Sequence, residues 1–219
     1  LPTTGGTVTL TLPQATGAGH TLIVGVSFWP LDVSSVTDGS GDTFTRGLAT
    51  SIYHNVSGSA SYNNFYYARN TGGGTNSLTL NFSGGNTYLL VAVAEVEGLD
   101  PSEPLDQSGY QESLTATTAW SSATVTTTAA NEYLFSWAAT EASNPTCASP
   151  ATGWVIESQI NAGATVCLLD RIVSASGSYQ TSVTASSAQN YAMEIVTFKG
   201  GSSSPPPPSV SLVNPNSGA

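Results

Sequence analysis

Three groups of residues in this chain have types and spacings that could do chemistry. Glu95 and Glu97 stand two apart in an alternating apolar run, so both project from the strand face of Leu89, Val91 and Val93. Paired carboxyl groups are the equipment of glycoside hydrolysis, which in its retaining form needs them roughly 5 Å apart. Strand neighbours two apart sit at about 6–7 Å, which favours the plainer reading of a strand end with Glu95 hydrogen-bonded to a loop. Asp38, Ser40 and Asp42 carry the 1-3-5 oxygen spacing that opens a calcium loop, with Gly39 and Gly41 permitting the curvature. The twelfth position of such a loop is Ala49, which excludes an EF-hand and leaves ordinary Asp–Gly turn chemistry as the alternative to a calcium site.

The third group is aromatic. Trp29, Trp120 and Trp154 fall at predicted strand ends beside turns, where an indole can reach solvent, and Tyr62, Asn63, Asn64 and Tyr66 make a ring- and amide-rich strand. Ring faces that pack on sugar C–H faces, beside amides that take the hydroxyls, make a glycan site. Trp29, Trp120, Trp154, Tyr62, Tyr66 and Asn64 are therefore the candidate ligand-binding residues. Core packing is the alternative for the tryptophans, and Trp137, close to Phe135 and Ala138, is assigned to the core.

Other chemistries find little support. No Gly-x-Ser-x-Gly elbow occurs, two histidines are the available bases, and no glycine-rich phosphate loop precedes a helical pattern, so no enzymatic activity is expected. Lys plus Arg total 4 against 14 Asp plus Glu, a net charge of −10, which excludes a phosphate-neutralising nucleic-acid face and disfavours anionic membranes. The longest apolar stretch, Tyr88 to Val96, is far short of the ~20 residues that span a bilayer. Cys147 and Cys167 would close a loop of about 20 residues, and as a disulfide would stabilise by roughly 3 kcal/mol. Such a bond, with the Ser/Thr-rich composition, points to an extracellular or cell-surface setting.

The elements that must position these residues are strands. Apolar residues alternate with period two almost throughout, and nothing sustains a helical period. Thr7–Leu12, His20–Trp29, Thr43–Gly47, Tyr62–Arg69, Ser77–Phe82 and Thr87–Glu97 are predicted strands. So are Ala123–Thr128, Glu132–Thr140, Trp154–Ile160, Thr165–Val173, Tyr179–Ala185 and Tyr191–Lys199. About a dozen short strands between Gly/Asn/Ser/Asp turns imply an all-β fold, a two-sheet antiparallel β-sandwich or jelly roll. The sandwich is expected over residues 1–199, a Gly/Ser/Pro linker over 200–208, and a strand-like tail over 209–219.

Segments such as Val36-Thr37-Asp38-Gly39-Ser40-Gly41-Asp42-Thr43-Phe44, Tyr66-Tyr67-Ala68-Arg69-Asn70 and Glu95-Val96-Glu97-Gly98-Leu99 together resemble a jelly-roll, concanavalin-like sandwich module of large secreted bacterial proteins. The resemblance spans about residues 7–199 and implies a surface module, many of which have no assigned activity. Concanavalin-like glycosidases carry a pattern similar to Glu-x-Asp-x-Glu; here Leu99 stands at the third position. The tail Val210-Ser211-Leu212-Val213-Asn214-Pro215 resembles the opening of an immunoglobulin-like IPT/TIG domain. The first resemblance implies one more strand at the start than residues 1–6 supply. A missing first strand and a spare last one point to strand donation between subunits through Val210, Leu212 and Val213, with truncation at both ends as the alternative. The partners expected are thus a glycan or neighbouring copies of the same chain.

Overall fold

The structure, a computed structural model, describes residues 6–56, 59–84, 88–141, 145–201 and 209–213. Among them the chain forms seventeen strands and no helix, and all the strand pairings are antiparallel. In chain order these are β1 (Thr7–Thr11), β2 (Thr21–Trp29), β3 (Val33–Asp38), β4 (Phe44–Arg46), β5 (Ile52–Val56), β6 (Ser59–Ala68), β7 (Ser77–Phe82) and β8 (Tyr88–Glu97). There follow β9 (Leu105–Ser121), β10 (Val125–Thr126), β11 (Glu132–Thr140), β12 (Cys147–Ala148), β13 (Val155–Asn161), β14 (Thr165–Val173), β15 (Ser178–Tyr179), β16 (Ser182–Lys199) and β17 (Ser209–Val213).

Two six-stranded sheets form the sandwich. The first has the order β17-β8-β2-β6-β4, with β5 also on β6; the second has the order β12-β16-β11-β14-β13, with β9 also on β16. Between them Ile23, Phe65, Ala92, Ala94 and Val96 of the first sheet meet Phe135, Trp137, Val166, Val196 and Phe198 of the second. Gly25 makes that contact possible: a Cβ there would lie 2.7 Å from the ring of Trp137.

Each large sheet is also covered on its outer face. A three-stranded sheet, β1-β7-β3, packs Leu10, Val36, Leu78 and Leu80 on Val24, Val26, Leu89, Val91 and Val93. Burial on both faces explains why β2 and β8 read as continuous apolar runs rather than alternating ones. On the far side of the second sheet, Trp120, Trp154, Leu169, Tyr191, Met193 and Ile195 form a third core with Val125, and β10 and β15 pair beside it. Cys147 and Cys167 are bonded there, tying β12 to β14 with a Cα–Cα distance of 6.5 Å. No helix of the described residues is long and apolar enough to cross a membrane.

Candidate functional site

The first large sheet ends in a group of rings. Trp29 closes β2, Tyr62 lies on β6 opposite Phe28, and Tyr53 lies on β5 opposite Tyr62. Tyr62 is the hub: its ring stacks on Phe28 at 5.6 Å and 17°, stacks on Trp29 at 5.9 Å and 18°, and meets Tyr53 at 4.9 Å. Phe28 is buried, Trp29 and Tyr62 are half-buried, and Tyr53 is 45% exposed, so the group is rooted in the core and open on one side. Tyr88, 68% exposed, stands opposite Trp29 in the β2–β8 register.

A polar network adjoins these rings. Asp32, three residues after Trp29, accepts from the Arg46 guanidinium at 2.6 Å. Arg46 Nη2 also donates to Ser51 Oγ, and Ser51, two residues before Tyr53, donates in turn to Asp32 Oδ1 at 3.3 Å. Asn64, two residues after Tyr62 and on the same strand face, holds the network from below. Its Nδ2 donates to Ser51 Oγ and to the Leu48 carbonyl, and its Oδ1 accepts from the main-chain N–H groups of Leu48 and Phe65. Arg46 Nε is buried without a hydrogen-bond partner among the described residues. Burial pushes the Tyr66 phenol up to about 12; Arg46 opposes that shift and Asp32 adds to it. The surface thus presents flat apolar rings beside a neutral pair of opposite charges, Asp32 and Arg46, held from beneath by the buried Ser51 hydroxyl and Asn64 amide.

The other candidate residues lie elsewhere. Trp120 is fully buried, stacked on Tyr191 at 5.5 Å, with its indole N–H donated to the Thr117 carbonyl. Trp154 is 4% exposed, in the same core, and donates to the Gln180 carbonyl. Neither can serve as a solvent-facing platform; position beside a turn did not expose them, because the short β10–β15 pair and its loops cover that face. Tyr66 is buried with its hydroxyl donated to Val33, and buried Asn64 supports the site instead of facing a ligand. Trp137 is core, as expected. Tyr53 was missed: in Ile-Tyr-His-Asn-Val the inward residues are Ile52 and His54, and a buried histidine breaks the apolar alternation that reveals a strand.

Glu95 is a strand-end residue tied to a loop: its carboxylate accepts from the Gly17 N–H and bonds His20 Nδ1 at 2.7 Å. Glu97 is exposed, and Ser209 stands opposite it. At the acidic loop, Asp38 Oδ1 accepts from the N–H groups of Ser40 and Asp42, Asp42 Oδ1 accepts from Gly72, and Ser40 Oγ donates to Gly73. Burial, with the neighbouring Asp38, raises the Asp42 carboxyl above its ordinary value. Among the described residues no three His, Cys, Asp or Glu side chains converge as a metal site, and Asp32, Asp100 and Asp106 are engaged with Arg46, Ser102 and Thr128. A cation at this loop would have to rely on two carboxylates and main-chain oxygens.

Compared with family models, curated proteins and solved structures, the chain has no match, so its function rests on the geometry of its own surface.

Proposed function

We propose that the protein is a non-enzymatic extracellular β-sandwich module that attaches to neutral glycans through Trp29, Tyr53 and Tyr62. The observation that carries this reading is the convergence of three rings on an open edge beside the Asp32–Arg46–Ser51–Asn64 network. Stacked rings offer apolar faces to sugar C–H groups, while the part-exposed Arg46 and Asp32 offer a donor and an acceptor to hydroxyls. A net charge of −10 disfavours anionic glycans by long-range repulsion, and Arg46 is already neutralised by Asp32, so uncharged sugars are the fitting class. The jelly-roll resemblance and the disulfide support an extracellular setting. The commitment of Glu95 to Gly17 and His20 argues against a carboxylate pair for hydrolysis.

The test is retention on an array of neutral and acidic oligosaccharides, comparing the wild-type chain with Trp29→Ala, Tyr62→Ala and Val155→Ala, the last on an exposed residue of the second sheet. Neutral glycans should be retained by the wild type and Val155→Ala. Truncating a central ring should cost about 2 kcal/mol or more, roughly thirtyfold in affinity. Equal retention by all four proteins would overturn the assignment.

A further inference from the structure

The strand β17 has an unusual position. It pairs with β8 in the register Ser209↔Glu97, Val210↔Val96, Ser211↔Glu95, Leu212↔Ala94 and Val213↔Val93, and so supplies the edge of the first sheet. The strand that it covers is built like an interior strand: Leu89, Val91 and Val93 lie in one core and Ala92, Ala94 and Val96 in the other. An edge of that kind, left bare, presents unpaired main-chain groups between two apolar layers, which makes it a strand acceptor.

The path to β17 matters as much as its place. After β16 the chain runs along the end of β8: Gly200 bridges Leu99, and the Gly201 N–H donates to the Gly98 carbonyl at 2.8 Å. Ser209 then stands opposite Glu97, one residue away from Gly98. The described anchors Gly201 and Ser209 thus stand close together along one edge, with seven residues between them in sequence. Four of those seven residues are the consecutive prolines Pro205–Pro208, a sequence that favours a straight rod of about 12 Å. Two anchors this close, joined by a sequence that favours extension, are the condition under which an element passes to a neighbouring copy, where it makes the same pairings.

We propose that β17 is exchanged between copies: a second copy of this chain donates its Ser209–Val213 strand to the β8 edge, main-chain hydrogen bonds supplying the attraction as in other strand additions. Donor and acceptor are different surfaces, so one-way repetition of the contact builds an open file of sandwiches, whereas reciprocal donation between two copies closes a pair. Extended linkers of seven residues would set the spacing, at about 22 Å. Each copy carries a charge of −10, so exchange strengthens as salt screens repulsion between copies. The exchanged strand occupies the Val93–Glu97 end of β8 and the ring group lies at its Tyr88 end, so attachment to glycan and exchange do not compete.

The register provides the test. In the double variant Glu97→Cys, Ser209→Cys the two thiols face each other across the β8–β17 pair. Exchange predicts that oxidation gives covalent dimers and longer ladders on a non-reducing gel, increasing with protein and salt concentration. Replacing Pro205–Pro208 by Gly-Ser-Gly-Ser should return the protein to internally bridged monomer. Since the double variant could misfold, a second experiment refolds equal amounts of isotope-labelled and unlabelled unmodified chain together and weighs the products by native mass spectrometry. Mixed-label oligomers, absent from a chain ending at Gly201, are the expected result. Internally bridged monomers at every concentration, or monomers alone in the mixture, would overturn the proposal.

Discussion

The rings of Tyr62 and Trp29 stack at 5.9 Å with planes 18° apart, although the two residues lie on neighbouring strands and are not register partners. Tyr62 stands opposite Phe28, and its other contact is Tyr53 from the next strand, so three strands contribute rings to one patch. A patch assembled in this way is as rigid as the sheet beneath it, which lowers the entropy cost of holding a ligand.

Asn64 is the residue on which the polar half of that patch depends. Asn64→Ala leaves the Leu48 N–H and carbonyl without their partner and frees Ser51. We expect a loss of about 2–4 kcal/mol in stability, from more than one buried group left unpaired. Glycan affinity should fall with it, because Ser51 and Arg46 lose their support. Chemical denaturation checks the first effect; a variant as stable as the wild type would contradict the role of the amide.

The disulfide closes a loop between β12 and β14. Cys147→Ser with Cys167→Ser should cost roughly 3 kcal/mol. In a domain of this size that lowers Tm by about 6–12 °C, measurable by scanning calorimetry.

Stability should fall as pH rises. Glu194 is fully buried, opposite Trp137 and Tyr110, with both carboxyl oxygens lacking a hydrogen-bond partner among the described residues, and burial pushes its carboxyl up to about 8. Burial likewise raises Glu132, Glu141 and Asp170 to about 7. Ordinary values for these groups are 4.5 for Glu and 3.8 for Asp, so the folded chain retains protons that the unfolded chain has released. Their stabilisation is complete below about pH 4 and is lost as pH rises through 7 and 8. Asp100 and Asp106, both lowered, act in the opposite sense, only in strong acid. Tm should therefore decline from pH 5 to pH 9, and Glu194→Gln should flatten that decline. Parallel curves for the two proteins would show that Glu194 does not contribute.

Much of the fold was legible because burial on one or both faces leaves a pattern. β7, β11 and β14 appear at or near their predicted bounds, since each carries the residues of a core face. β9, the second longest strand, was not seen at all. Its sequence Leu-Asp-Gln-Ser-Gly-Tyr-Gln-Glu-Ser-Leu-Thr-Ala-Thr-Thr-Ala-Trp-Ser has no apolar alternation because its side chains are mostly exposed, and main-chain pairing along β16 defines it. β3 and β5 were hidden by polar residues within short strands. Of the candidate site, Trp29 and Tyr62 could be read from type and position. Their partnership with Tyr53 and the charge pair Asp32–Arg46 depends on which strands lie side by side, and single-strand patterns do not encode that. The same limit explains Trp120 and Trp154, whose cover comes from segments distant in sequence.

The central claim is that Trp29 meets a glycan while the other three tryptophans do not. The most direct measurement is a proton–nitrogen correlation spectrum of the four indole N–H groups, assigned with Trp29→Phe, during titration with the neutral oligosaccharide best retained on the array. The account predicts a saturable shift of the Trp29 signal, with those of Trp120, Trp137 and Trp154 unmoved. A Trp29 signal that stays in place as the sugar is added would contradict it.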